Sequence, residues 1–143
     1  MLKRVKFEKL SKVLNELLNH YGLSKKNSNR VSSLLINANL SGQDSHGVSR
    51  LPMYLEKIEN GELNINAKTK VVHQTSTTAS VDGNWNFGQL AADDAIKICI
   101  KKALKENVAC VTLKRANHVG RLADFTNQAA KKNLLCLAFS NLH

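Results

Sequence analysis

The chain has 143 residues, 43% of them hydrophobic and 22% charged. These are the values of a folded domain with a core of its own, and they exclude a disordered chain. The formal net charge of +10 would suit nucleic acid or an acidic partner. The lysines are spread out, however (Lys3, Lys6, Lys9 and Lys12; Lys25 and Lys26; Lys97, Lys101, Lys102 and Lys105), and read as solvated helix faces. Aromatic residues make up only 5%, which argues against a base-stacking surface, so no nucleic-acid partner is expected. No apolar run approaches a membrane span, and none follows the basic N-terminus, so a cytoplasmic protein with no membrane partner is expected.

Phe7, Leu10, Leu14, Leu17, Leu18 and Tyr21 recur at helical spacing, with Gly22 as a stop. Ser24 is placed to cap a second helix carrying Val31, Leu34, Leu35 and Ala38 inward, which Gly42 closes. A third helix ends near Asn60-Gly61. Pro52 requires either that its regular part starts late or that it kinks there. Lys70–Gln74 and Thr78–Asp82 read as short strands, the second ending in an Asp82-Gly83 turn. Gly88 to Glu106 reads as a long helix. A buried strand over Val108–Leu113, a helix over Leu122–Lys131 and a second buried strand over Leu134–Ser140 would make a βαβ crossover with parallel strands.

The expected fold class is therefore α/β, with N-terminal helices followed by a mixed sheet. Residues 1–62 form the helical region and 63–143 the start of an α/β domain. The last strand has no helix after it to cover the sheet, which points to part of a larger fold. Cys99, Cys110 and Cys136 show neither CxxC nor metal spacing; Cys110 and Cys136 lie in apolar runs and read as buried free thiols, so no metal is expected.

The chemistry concentrates in two segments. Asp44-Ser45-His46-Gly47-Val48-Ser49-Arg50-Leu51-Pro52-Met53-Tyr54 holds a hydroxyl, an imidazole, a guanidinium and a phenol. If it is helical throughout, His46, Arg50 and Tyr54 share one face. A guanidinium fork binds a carboxylate through two parallel hydrogen bonds, but Arg50 could equally pair with Asp44. Ser45 could be a functional hydroxyl or a helix cap, and Tyr54 could touch substrate or pack its ring. The second segment, Asn117-His118-Val119-Gly120-Arg121, lies between a strand and its helix, where sites on such sheets form. His118 suits proton transfer near neutral pH or could merely cap the helix. Arg121 could hold a second acidic group or face solvent. No G-x-G-x-x-G, Walker loop, H-E-x-x-H or G-x-S-x-G is present.

With Asp44-Ser45-His46-Gly47-x-x-Arg50-Leu51-Pro52-x-Tyr54, Val81-Asp82-Gly83-x-x-x-x-Gly88 and Asn117-His118-x-Gly120 in order, the chain resembles the malate/L-lactate dehydrogenase family that lacks a Rossmann fold. That family also holds ureidoglycolate, sulfolactate and cyclic-imine reducing members. The resemblance implies hydride transfer between NAD or NADP and a small 2-hydroxy or 2-oxo acid, in a homodimer. It makes His118 and His46 catalytic, with His118 the general acid/base. Arg50 would clamp the substrate carboxylate, with Ser45, Tyr54 and Arg121 also on the substrate side. Ser140 and Asn141 would begin the cofactor side, where Leu142 replaces the usual small hydroxyl residue. Family members are more than twice as long, so an N-terminal portion is expected. The alternative is a catalytically silent, truncated or split-gene remnant that needs a second half.

Overall fold

The computed structural model describes residues 5–141. The chain is mixed α/β and divides into two compact units, Met1–Asn66 and Ala67–His143.

The first unit is built from α1 (Phe7–His20), α2 (Lys25–Leu40) and α3 (Leu51–Glu59). Leu14 and Leu18 of α1 are buried, as are Val31, Leu34, Leu35 and Ala38 of α2, so the apolar stripes seen in the sequence form this core. Helix α1 ends in a Schellman motif: Gly22, at φ +94°, donates to the Asn19 carbonyl, and Leu23 donates to that of Leu18. The Ser24 hydroxyl accepts the Asn27 N–H and caps α2 as its position predicts. Tyr21 Oη donates to Glu59 Oε1 at 2.6 Å, tying the end of α1 to the end of α3, and this bond raises the phenol's pKa above its ordinary value.

Between α2 and α3 the chain makes two short 3₁₀ turns, Asp44–His46 and Val48–Arg50. Pro52 sits in the first turn of α3, the one helical place where its missing N–H costs nothing, so the regular helix starts late. The shared helical face expected for His46, Arg50 and Tyr54 is thereby corrected. Gly47, extended at φ −92° and ψ −153°, separates the two turns, and Tyr54 is buried in the core of this unit.

The second unit holds a three-stranded sheet of β1 (Lys70–Gln74), β2 (Thr78–Asp82) and β3 (Cys110–Lys114), in that order. β1 runs antiparallel to β2 with a bulge at Val72, and β2 runs parallel to β3. Helix α4 (Gly88–Glu106) connects the parallel pair, and α5 (Ala123–Ala130) follows β3. Ala79 and Val81 of β2 and Ala91 and Ala95 of α4 are buried in this unit's core, whereas every residue of β1 is exposed.

Three expectations fail here. The crossover is β2–α4–β3, not one built around α5. β3 is only half-buried on one face and exposed on the other, so Cys110 is exposed, while Cys99 and Cys136 are partly buried. Leu134–Ser140 forms no strand: Asn133, at φ +58°, ends the helical run, and the segment beyond it pairs with nothing in the sheet. Leu135, Leu137 and Phe139 are exposed on it, at 96%, 75% and 88%. A strand needs a partner to satisfy its backbone groups, and an apolar run alone does not provide one.

Candidate functional site

The first unit's candidate residues lie on a loop braced from within. At the end of α2, Gly42 donates to the Asn39 carbonyl and Gln43 to that of Ala38, a second Schellman turn that delivers the chain to Asp44. The Asn39 side chain then reaches into the loop. Its Nδ2 donates to Asp44 Oδ1 at 2.5 Å, and its Oδ1 accepts the Val48 N–H at 2.8 Å. Gly47 lies so close that a Cβ there would overlap the Asn39 amide. Ser49 Oγ donates to the Asp44 carbonyl at 2.7 Å, and Arg50 Nε to the Ser45 carbonyl at 2.5 Å. Ser45 Oγ and His46 Nδ1 are 3.0 Å apart.

Ser45, His46 and Arg50 are therefore gathered on one short loop, with Ser45 exposed and the other two half-buried. Asp44 is bonded to Asn39, and Arg50 is held by a backbone carbonyl. Guanidinium donors other than Nε remain for a carboxylate. Tyr54, 1% exposed, belongs to the core of the same unit.

The second unit presents His118 on the β3–α5 connection, and its bracing comes from far away in sequence. The turn after β2 and the turn after β3 run side by side. Gly83 N–H donates to the Lys114 carbonyl at 2.8 Å and Trp85 N–H to that of Arg115 at 2.7 Å. In return Asn117 Nδ2 donates to the Trp85 carbonyl at 2.8 Å. At the start of α4, Gly88 packs directly on the backbone of Asn117 and His118. A Cβ at position 88 would overlap both carbonyl oxygens. Only a residue without a side chain allows this approach.

Asp82, at the end of β2 and 6% exposed, accepts from both Arg115 and the Asn84 N–H. The Arg115 bond, then the Asn84 bond, holds its carboxyl below the usual aspartate range. His118 is half-buried on the loop fixed in this way. Arg121 is not a free surface guanidinium: its side chain is 14% exposed, and its Nε lies 3.7 Å from Asp124 Oδ2, one turn along.

Several of these supporting residues escape a reading of the sequence. Asn39 carries no motif, and its role depends on a side chain crossing to a loop nine residues on. The Val81-Asp82-Gly83-x-x-x-x-Gly88 spacing is visible, but nothing local says that it packs on the His118 loop. Ser140 and Asn141 are both exposed on the segment that joins no sheet, and Leu142 lies outside the described residues. Among the described residues Ser140 and Asn141 by themselves do not enclose a dinucleotide, so no step is derived through one. Among the described residues no group of His, Cys, Asp or Glu is arranged to hold a metal, and no helix is long and apolar enough to cross a membrane.

Each unit presents one of these histidines on a braced loop, His46 with Arg50 in the first and His118 in the second, and the sequence carries no Rossmann phosphate loop. Comparison with known proteins is specific: residues 5–143 match the malate/L-lactate dehydrogenase family, and the chain belongs to it. Hydroxycarboxylate dehydrogenase B of Escherichia coli is 32% identical over 130 residues, covering 91% of this chain and 36% of the relative. L-sulfolactate dehydrogenase of Methanocaldococcus jannaschii is 27% identical over 137 residues, covering 96% of this chain and 40% of the relative. The solved structure of malate dehydrogenase from Pyrococcus horikoshii superposes with a TM-score of 0.88 at 29% identity, over 91% of this chain and 37% of that one. The chain thus spans well under half the length of these relatives.

Proposed function

We propose that this chain carries the substrate-side and proton-transfer residues of a dehydrogenase that interconverts a small 2-hydroxy acid and its 2-oxo acid. The observation that carries the reading is the fixed His118 loop. An imidazole whose neighbours are locked by Gly88 and by the Asn117 hydrogen bonds can meet a substrate hydroxyl without first being ordered. Oxidation at C2 requires a base to take the hydroxyl proton, and His118 takes that role. Arg50 clamps the carboxylate and orients C2, with Ser45 and His46 completing the polar loop. His46 is the second catalytic candidate, Arg121 a further substrate contact within reach of an acidic group, and Tyr54 a supporting residue of the substrate side. NAD or NADP, met first at Ser140 and Asn141, is the redox partner in this reading. The free state of all three cysteines supports a cytoplasmic setting, and a homodimer is the proposed assembly.

The exposed Leu135, Leu137 and Phe139, with coverage of 36–40% of the relatives' length, favour a second reading. In it, the chain is silent until a further polypeptide completes its sheet.

The test is dinucleotide reduction by the intact protein with malate, lactate and sulfolactate, followed by absorbance. His118→Ala should lower turnover by roughly 10²–10⁴-fold. Arg50→Lys should mainly raise the KM for the 2-hydroxy acid, and for the 2-oxo acid when the reverse reaction is followed, because an ammonium cannot reproduce the fork. Wild-type kinetics in both variants would overturn the assignment. Activity only on adding a second polypeptide would select the second reading.

A further inference from the structure

We propose that Arg115, locked across Asp82 at the end of the sheet, is a positioning residue for His118. The proposal rests on the role given to His118 above.

The two residues lie 33 positions apart in sequence. Arg115 Nε donates to Asp82 Oδ1 at 3.0 Å and Oδ2 at 3.1 Å, and Nη2 donates to Oδ2 at 2.5 Å. Both carboxylate oxygens are engaged by a planar fork, which fixes the guanidinium in orientation as well as in place. The carboxylate is itself held: it is buried, and Oδ1 also accepts the Asn84 N–H at 2.9 Å. An anchor at the end of β2 thus grips the first residue after β3.

The backbone explains why a grip is needed there. Arg115 has φ +49°, in the left-handed region that glycine takes freely and long side chains avoid. The chain turns sharply at this residue out of β3 and toward Asn117 and His118. Its carbonyl is held by the Trp85 N–H, and its side chain by Asp82, so both ends of the residue are tied to the β2–α4 turn. A glycine would make the same turn and leave it loose. Arginine makes the turn and locks it, because releasing the backbone would also break the fork. His118 follows three residues later, and its carbonyl packs so closely on Gly88 that a Cβ there would overlap it. A change in the turn angle at Arg115 therefore moves the His118 backbone and its imidazole, or breaks the backbone contact with Gly88.

The experiment uses the full 143-residue chain, with Arg115→Gly and Arg115→Lys. Arg115→Gly suits the backbone angle and removes the fork, so it separates locking from strain. Arg115→Lys keeps the charge and loses the two-point geometry. Amide hydrogen exchange at Asn117, His118 and Gly120 and the NMR titration of the His118 imidazole are read alongside thermal unfolding. The expected result for Arg115→Gly is exchange at these amides faster by about tenfold or more, with a moved His118 titration. Amides of α1 and α2 should be unchanged, and Arg115→Lys should fall between wild type and Arg115→Gly. If Arg115→Gly does not fold, Arg115→Lys carries the same comparison. Unchanged exchange and an unchanged His118 titration in a folded variant would overturn the proposal. Neither readout needs turnover, so a fully active His118→Ala would remove the catalytic role while leaving the result on the loop intact.

Discussion

The two loops that carry the candidate chemistry are held by opposite means. The Asp44–Arg50 loop is braced by residues at most nine positions away: Asn39 bonds to Asp44 and the Val48 N–H, Ser49 to the Asp44 carbonyl, and Arg50 to the Ser45 carbonyl. The His118 loop is braced by a turn about thirty residues earlier, through Asp82, Trp85, Asn86 and Gly88. A locally braced loop keeps its shape while its surroundings move, which suits a binding element that must take up substrate. A loop braced across the sheet inherits the rigidity of the strands, which suits a group that must present a proton acceptor at a fixed point.

This contrast can be broken most forcefully at Gly88. Gly88→Ala puts a methyl group into backbone atoms of Asn117 and His118 that cannot rotate away. It should cost about 1–3 kcal/mol, the range for forced overpacking, and disorder the His118 loop. Chemical denaturation with NMR of the Asn117 amide would show both effects, and the Val48 amide should be untouched. Asn39→Ala is the converse. It leaves Asp44 and the Val48 N–H without their partner, should cost about 1 kcal/mol, and should loosen the Asp44–Arg50 loop alone. Equal loosening of both loops by either variant would refute the distinction.

A smaller effect follows from acid. Because Arg115 and the Asn84 N–H hold the Asp82 carboxyl below its ordinary pKa, its stabilisation is fully present above about pH 4 and is lost as pH falls through the lowered value. Trp85 is the chain's single tryptophan, and its N–H bonds the Arg115 carbonyl. Its emission should hold steady down to about pH 4 and shift on further acidification. In Asp82→Asn the acid-dependent shift should be absent.

What the sequence made legible follows the same division. The bounds of β1, β2 and α4, the Ser24 cap and the stops at Gly22 and Gly42 all rest on neighbours within a turn or two, and all appear as expected. Pro52 correctly signalled a late start to α3 without deciding between that and a kink. The failures are non-local. An apolar run at Leu134–Ser140 carries strand-like composition, but its state depends on a partner that no pattern within it specifies. Cys110 lies in an apolar run too, yet its side of β3 is exposed, because among the described residues no element covers that face. For the sites, spacing pointed to residues that could act, whereas Asn39 and Arg115 emerged only from packing, as did the supporting role of Gly88, which the sequence offered only as part of a motif.

The most direct measurement is kcat/KM for 2-hydroxy-acid oxidation by the intact protein carrying Gly88→Ala. This variant leaves every candidate functional side chain chemically unchanged and perturbs the loop only through the backbone of Asn117 and His118. A fall toward the level of His118→Ala, with the fold retained, is the predicted result. A folded Gly88→Ala protein with wild-type kcat/KM would contradict the account.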